Sequence, residues 1–103
     1  MSSATQADVR ESYVDLTGFQ RDILWKLSHL DGDVHGLRIK KSLEQMGYGE
    51  VNHGRLYPNL DTLVRSGFIE KGEIDWRTNE YELTDEALEL LADRQSWEQG
   101  ESS

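Results

Sequence analysis

The hydrophobic period changes once along this chain, and the change falls at a glycine. Leu56, Leu60, Leu63 and Val64 recur at i, i+4, i+7 and i+8, the spacing of one apolar face on an α-helix. Beyond Gly67 the spacing becomes that of extended chain. Phe68-Ile69-Glu70-Lys71-Gly72 and Glu80-Tyr81-Glu82-Leu83 read as two short strands around a polar turn, Asp75-Trp76-Arg77-Thr78-Asn79. A helix that stops at a glycine and passes straight into a hairpin leaves few architectures open. A two-stranded hairpin is marginal alone and needs helices to lie on.

The preceding residues supply those helices. Thr17-Gly18-Phe19-Gln20 has the capping-box pattern, and Phe19, Ile23, Leu24, Leu27 and Leu30 form a one-sided stripe that ends at Asp31-Gly32-Asp33. A second helix is predicted from about His35 to Met46. It would bury Leu37, Ile39, Leu43 and Met46, present Arg38, Lys41 and Gln45 to solvent, and stop at Gly47. Asn52 is a good cap for the third helix. Thr84 caps a last one, with Asp85 and Glu86 in the first turn, where carboxylates complement the positive helix end. Ala87, Leu88, Leu91 and Trp97 lie along it.

The order helix, helix, helix, hairpin, helix predicts a mainly α chain with a small β-hairpin wing, a winged helix-turn-helix. Residues 1–16 are expected as an N-terminal segment in which Val9, Tyr13, Val14 and Leu16 can form a short helix. Residues 17–83 form the winged domain, 84–97 the closing helix and 98–103 a tail. Pro58 conflicts with a straight third helix, since it removes an amide donor and costs roughly 3 kcal/mol in a helix interior. Either the helix begins after it or it is kinked there.

At 103 residues the chain suits one compact domain. No apolar run approaches the ~18–20 residues needed to span a bilayer, and Met1 to Asp15 lacks the apolar stretch of an export signal, so a cytoplasmic location is expected. The absence of cysteine excludes disulfides, thiolate metal sites and thiol redox chemistry. The formal charge is −9, and it is unevenly spread. Residues 1–37 carry three basic and six acidic side chains, residues 38–77 seven and six, and residues 78–103 one and eight. The middle third is the only part that is not acidic; it reads either as more of a solvated surface with no polarity or as a neutral-to-basic working face on an acidic body. Scattered acid, with seven arginines against four lysines, suits a cytoplasm of very high salt, where carboxylates hold a hydrated surface.

Enzymatic function is not expected. Catalysis needs convergent groups, and this chain offers only His29, His35 and His53, with no serine motif and no phosphate-cradling glycine loop. Asp31, Asp33, His35 and Gly36 mimic the opening of a calcium loop, but the twelfth position is Ser42 where a glutamate is required. The segment reads as a polar turn, and no metal or cofactor is expected.

The stretch Gly54-Arg55-Leu56-Tyr57-Pro58-Asn59-Leu60-Asp61-Thr62-Leu63-Val64-Arg65-Ser66-Gly67-Phe68-Ile69 closely resembles the PadR-like transcriptional regulators. Their third helix carries a Leu-Tyr-Pro triplet, leucines at helical spacing and a glycine before the first wing strand. His35-Gly36-Leu37-Arg38-Ile39 resembles the opening of their second helix, and Tyr81-Glu82-Leu83-Thr84 the second wing strand running into the last helix. With the acidic composition, the chain looks most like the haloarchaeal branch of that family, to which oxidative-stress regulators of the RosR type belong. The resemblance implies a homodimer on double-stranded operator DNA, formed largely through the last helix, here Leu88, Leu91 and Trp97. That helix is short and acidic for the family pattern, and any response to oxidants cannot be thiol chemistry in this chain.

In a helix-turn-helix the second helix of the pair enters the major groove and residues near its N-terminus reach base edges. Asn52, His53 and Arg55 occupy that end. Arginine can pair bidentately with guanine and asparagine with adenine. Tyr57 and Asn59 flank the exposed face and are candidates for phosphate contact, although Tyr57 could equally be a packing residue. Gly54 would permit close approach of the backbone. Arg38, Lys40 and Lys41 on the preceding helix, with Lys71 and Arg77 at the wing, supply charge for adjacent phosphates or minor groove. Phosphate contacts weaken steeply as salt rises. In molar salt, groove hydrogen bonds and apolar contacts are expected to carry binding, with inorganic cations bridging carboxylates such as Glu50 to the DNA. The alternative is a winged-helix protein-interaction module without DNA binding, since fold alone does not decide function.

Overall fold

The computed structural model describes residues 12–31, 34–75 and 78–101, and the side chains among these except at 74, 75, 78 and 94–101. The described elements are α1 (Gly18–His29), α2 (Gly36–Leu43) with a π-helical turn after it (Glu44–Tyr48), α3 (His53–Arg65), β1 (Ile69–Asp75), β2 (Thr78–Leu83) and α4 (Asp85–Glu101). The winged helix-turn-helix expected from the order of periods is the fold found.

The capping box at α1 is formed in both directions. Thr17 Oγ1 accepts from the Gln20 N–H at 3.2 Å, and Gln20 Oε1 accepts from the Thr17 N–H at 3.0 Å. Phe19, Ile23, Leu24 and Leu27 are buried, and Leu30 packs half-buried against them just past the helix end. Ahead of α1, residues 12–14 make a helical turn whose Tyr13 and the following Leu16 enter the core, while Val14 faces solvent. Arg21 Nη2 donates to the Val14 carbonyl at 3.2 Å and fastens this turn to α1. Val9 lies outside the described residues.

α2 departs from the expectation. It buries Gly36, Ile39 and Leu43, but Leu37 is 47% exposed and Met46 39% exposed. At ~100° per residue, Leu37 lies ~200° around the helix from Ile39, so both cannot face one core. Met46 falls in the π-helical turn, where the 3.6-residue period no longer sets its direction. Gly47, with φ of 120°, turns the chain, as its position after the helix suggests.

α3 starts at the expected cap: Asn52 Oδ1 accepts from the Arg55 N–H at 2.8 Å. The helix continues through Pro58, which excludes a start after the proline. Leu56, Leu60 and Leu63 are fully buried, with Val64 at their margin. Gly67, at φ of 87°, ends the helix in a conformation that a side chain would strain. Thr84 joins that end to the next helix, donating from Oγ1 to the Gly67 carbonyl at 2.8 Å and accepting from the Ala87 N–H at 3.1 Å.

β1 and β2 pair antiparallel with Ile69 opposite Leu83 and Lys71 opposite Tyr81, and the register shifts between Glu73 and Asp75. The strands are longer than predicted: β1 reaches Asp75 and β2 begins at Thr78. Ladder pairing extends polar residues that alternation alone does not mark. Tyr81 and Leu83 point into the core beside Ile69 and Phe68. The Tyr81 N–H also donates to the Val34 carbonyl at 2.7 Å, and His35 bridges Glu80, so the chain entering α2 is laid along β2. α4 continues to Glu101, beyond the expected end at 97, and buries Ala87 and Leu90.

Candidate nucleic-acid interface

α3 is divided along its length. Asn52, His53, Gly54 and Arg55 are exposed, while the stripe that begins at Leu56 is buried. The exposed turn is held by contacts from α1 and from the turn after α2.

Arg55 is fixed at backbone and side chain. Its N–H is capped by Asn52, and its carbonyl accepts from Asn59 Nδ2 at 2.7 Å. Asn59 Oδ1 accepts in turn from Gln20 Nε2 at 2.8 Å, which ties α3 to the capping box of α1. The guanidinium carbon lies over the Phe19 ring, 4.0 Å from its centroid and 5.2 Å from that of Tyr48. Phe19 and Tyr48 meet edge to face at 5.2 Å and 83°. The Tyr48 hydroxyl donates to Asp22 Oδ2. That hydrogen bond, reinforced by burial, raises the Tyr48 hydroxyl above its ordinary pKa.

The other candidate residues divide into two groups. His53 is exposed, its ring 5.3 Å from that of Tyr57. Tyr57 is half-buried and sits on Gly36: a Cβ there would lie 2.2 Å from its hydroxyl oxygen and 2.8 Å from Cζ. It therefore packs α3 against the start of α2. Burial, with Tyr57 and Asp61 nearby, raises the pKa of the neighbouring Tyr81. Arg38 donates from Nη1 to the Asp31 carbonyl. Lys40 pairs with Glu44 at 2.9 Å, and the same Glu44 oxygen accepts from the Val51 N–H at 2.9 Å. The Val51 contact first and the Lys40 contact second hold the Glu44 carboxyl below its ordinary value. Lys41, Lys71 and Glu50 are exposed. Arg77 and the side chain of Trp97 lie outside the described residues. Leu88 is 48% exposed and Leu91 half-buried on α4.

Phe19, Asp22, Gln20 and Tyr48 belong to this site although nothing in their local sequence marks them for it. Gln20 was legible only as a cap and Phe19 only as core, because their partners lie more than 25 residues away in sequence. Among the described residues, no group of three or more histidines and carboxylates could hold a metal ion, and no helix is long and apolar enough to cross a membrane.

Fold and site together define a winged helix-turn-helix domain, with the leading turn of its second motif helix exposed. The model of the transcriptional regulator PadR-like family matches residues 24–93, and the chain belongs to that family. Its likeness to solved structures places it with regulators of the RosR type. The complex structure of hsRosR-S1 is 48% identical with a TM-score of 0.78, covering 91% of this chain and 79% of that one. The complex structure of hsRosR-SG is 50% identical with a TM-score of 0.76, covering 84% and 75%. The structure of H. salinarum RosR grown from NaBr is 49% identical with a TM-score of 0.76, covering 84% and 77%. No curated protein gives a significant match.

Proposed function

We propose that this PadR-like regulator binds double-stranded operator DNA as a homodimer, with the leading turn of α3 in the major groove. One observation carries the reading: Asn52, His53, Gly54 and Arg55 are exposed on a helix whose next residue begins a fully buried stripe. The end that reaches base edges in helix-turn-helix proteins is thus offered to solvent on a firmly anchored rod. Arg55, His53 and the Asn52 amide are the reading groups, and Gly54 keeps the backbone low. Lys41 and Lys71, with Arg77, meet phosphates on either side. Tyr57 and Asn59 act from behind, holding the helix. The exposed Leu88, with Leu91 and Trp97, supplies the dimer contact along α4.

The likeness to RosR, with a charge of −9, supports work in the cytoplasm of a high-salt cell and a part in the stress response. Cations bridging Glu50 to the duplex would offset the acidic surface beside the groove.

The test is a mobility shift on DNA from upstream of the chain's own gene in molar KCl, with light scattering for the dimer. A dimer should discriminate that DNA from a random fragment, and Arg55→Ala should weaken binding by ~1–3 kcal/mol. A folded protein that treats both fragments alike, or is indifferent to Arg55→Ala, would point to the protein-interaction alternative.

A further inference from the structure

We propose that the Phe19 and Tyr48 rings, with Tyr48 anchored on Asp22, form a positioning platform that presents Arg55 to the duplex in one orientation and thereby sets sequence discrimination. The inference rests on the reading that α3 enters DNA, and it assigns a role to residues outside that helix.

Four contacts converge on Arg55. The guanidinium lies over Phe19 at 4.0 Å and within 5.2 Å of Tyr48. The two rings are locked edge to face. The outer ring is tied by its hydroxyl to Asp22 on α1. The backbone is pinned through Asn52 on one side and the Asn59–Gln20 link on the other. The platform is thus assembled from α1, the turn after α2 and α3 itself, with Gly47 bending the chain so that Tyr48 folds back over α1.

This arrangement suits base reading better than charge display. A guanidinium seated over an aromatic ring makes that contact without using its N–H donors in hydrogen bonds, so they stay available for a planar acceptor pair. An arginine held in place before binding loses less rotamer freedom when it binds. A cation meant only for phosphates gains little from such ordering, because a mobile charge serves as well. Tyr48 also keeps its hydroxyl on the Asp22 carboxylate, so that the oxygen is occupied by a neutral donor. An ammonium at position 55 would keep the charge and a cation–π contact but not the planar fork, so Arg55→Lys separates base reading from charge.

The test uses the full chain and two duplexes of equal length and composition, the gene's upstream region and its scrambled counterpart. NMR of the free protein should show Arg55 Cδ protons shifted upfield by the rings, and Tyr48→Leu should diminish that shift. The ratio of affinities for the upstream over the scrambled duplex should fall roughly tenfold or more in Arg55→Lys and in Tyr48→Leu. Arg55→Lys alters an exposed position, so the inference stays exposed to refutation should Tyr48→Leu fold poorly. Equal loss on both duplexes, or full preference retained in Arg55→Lys, overturns the platform while leaving DNA binding by α3 intact. A wild-type protein with no preference between the duplexes removes the underlying reading, and the platform falls with it.

Discussion

The two helices of the helix-turn-helix use their positive charge in opposite ways. α2 carries Arg38, Lys40 and Lys41, yet Arg38 is bonded to the Asp31 carbonyl and Lys40 to Glu44. The leading turn of α3 carries one cation, Arg55, which is exposed and backed by aromatic rings. The helix richer in charge spends two of its three cations on holding the motif together. Charge density along a sequence therefore says where cations are, and only their partners say which of them can meet a phosphate or a base.

The largest expected effect concerns the contact that fixes the angle between these helices. In Gly36→Ala the new methyl would fall 2.2 Å from the Tyr57 hydroxyl and within 2.9 Å of two ring carbons. All three atoms belong to one rigid phenol group, so no rotation at its tip relieves the overlap. Overpacking of this kind costs typically ~1–3 kcal/mol, and the better helix propensity of alanine offsets at most about 1 kcal/mol. Denaturant unfolding should show the loss, and Gly36→Ala combined with Tyr57→Leu should be less destabilised than the two single changes together. Additive effects would mean that α2 and α3 are not held by this contact.

A middle-sized effect separates bound from presented cations. Lys41→Ala and Lys71→Ala should each reduce the slope of log affinity against log KCl by about 1, the mark of one lost phosphate contact. Lys40→Ala should leave that slope unchanged and lower stability only slightly, as befits an i,i+4 pair near the surface. Equal slopes for Lys40→Ala and Lys41→Ala would erase the distinction between the two groups.

This division also shows what the sequence could and could not disclose. The capping box at Thr17, the Asn52 cap, the stripe from Leu56 to Leu63 and the break at Gly67 are local signals, each written within a few residues, and each formed as expected. α2 was less legible, because its regular period gives way to a wider turn after Leu43, and nothing in Glu44-Gln45-Met46 announces that change. Pro58 suggested a boundary, yet tertiary burial of Leu56 and Leu60 on either side of it carries the helix through. The exposed end of α3 followed from periodicity. Its supports did not, since Phe19 to Arg55 and Gln20 to Asn59 are pairs brought together only by the packing of α1 on α3.

The smallest effect tests the inward use of charge at the end of α2. Glu44 accepts from the Val51 N–H and from Lys40, and both contacts favour its ionised form, so its folded pKa lies below the ordinary 4.5. By linkage, a group whose folded pKa is depressed contributes stability that is complete above its unfolded pKa and is lost as pH falls through the folded one. Melting temperature should therefore decline on acidification below about 4.5 by more in the wild type than in Glu44→Gln, because only the wild type has this proton to take up. Other carboxylates titrate in the same range, but they do so in both proteins, and the difference between the two curves isolates Glu44. Parallel curves would show that the chain leading into Asn52 is held without this carboxylate. Curves that converge as the acid limit is approached would show that the turn between α2 and α3 relies on the ionised Glu44 carboxylate, where the leading end of α3 uses an exposed cation.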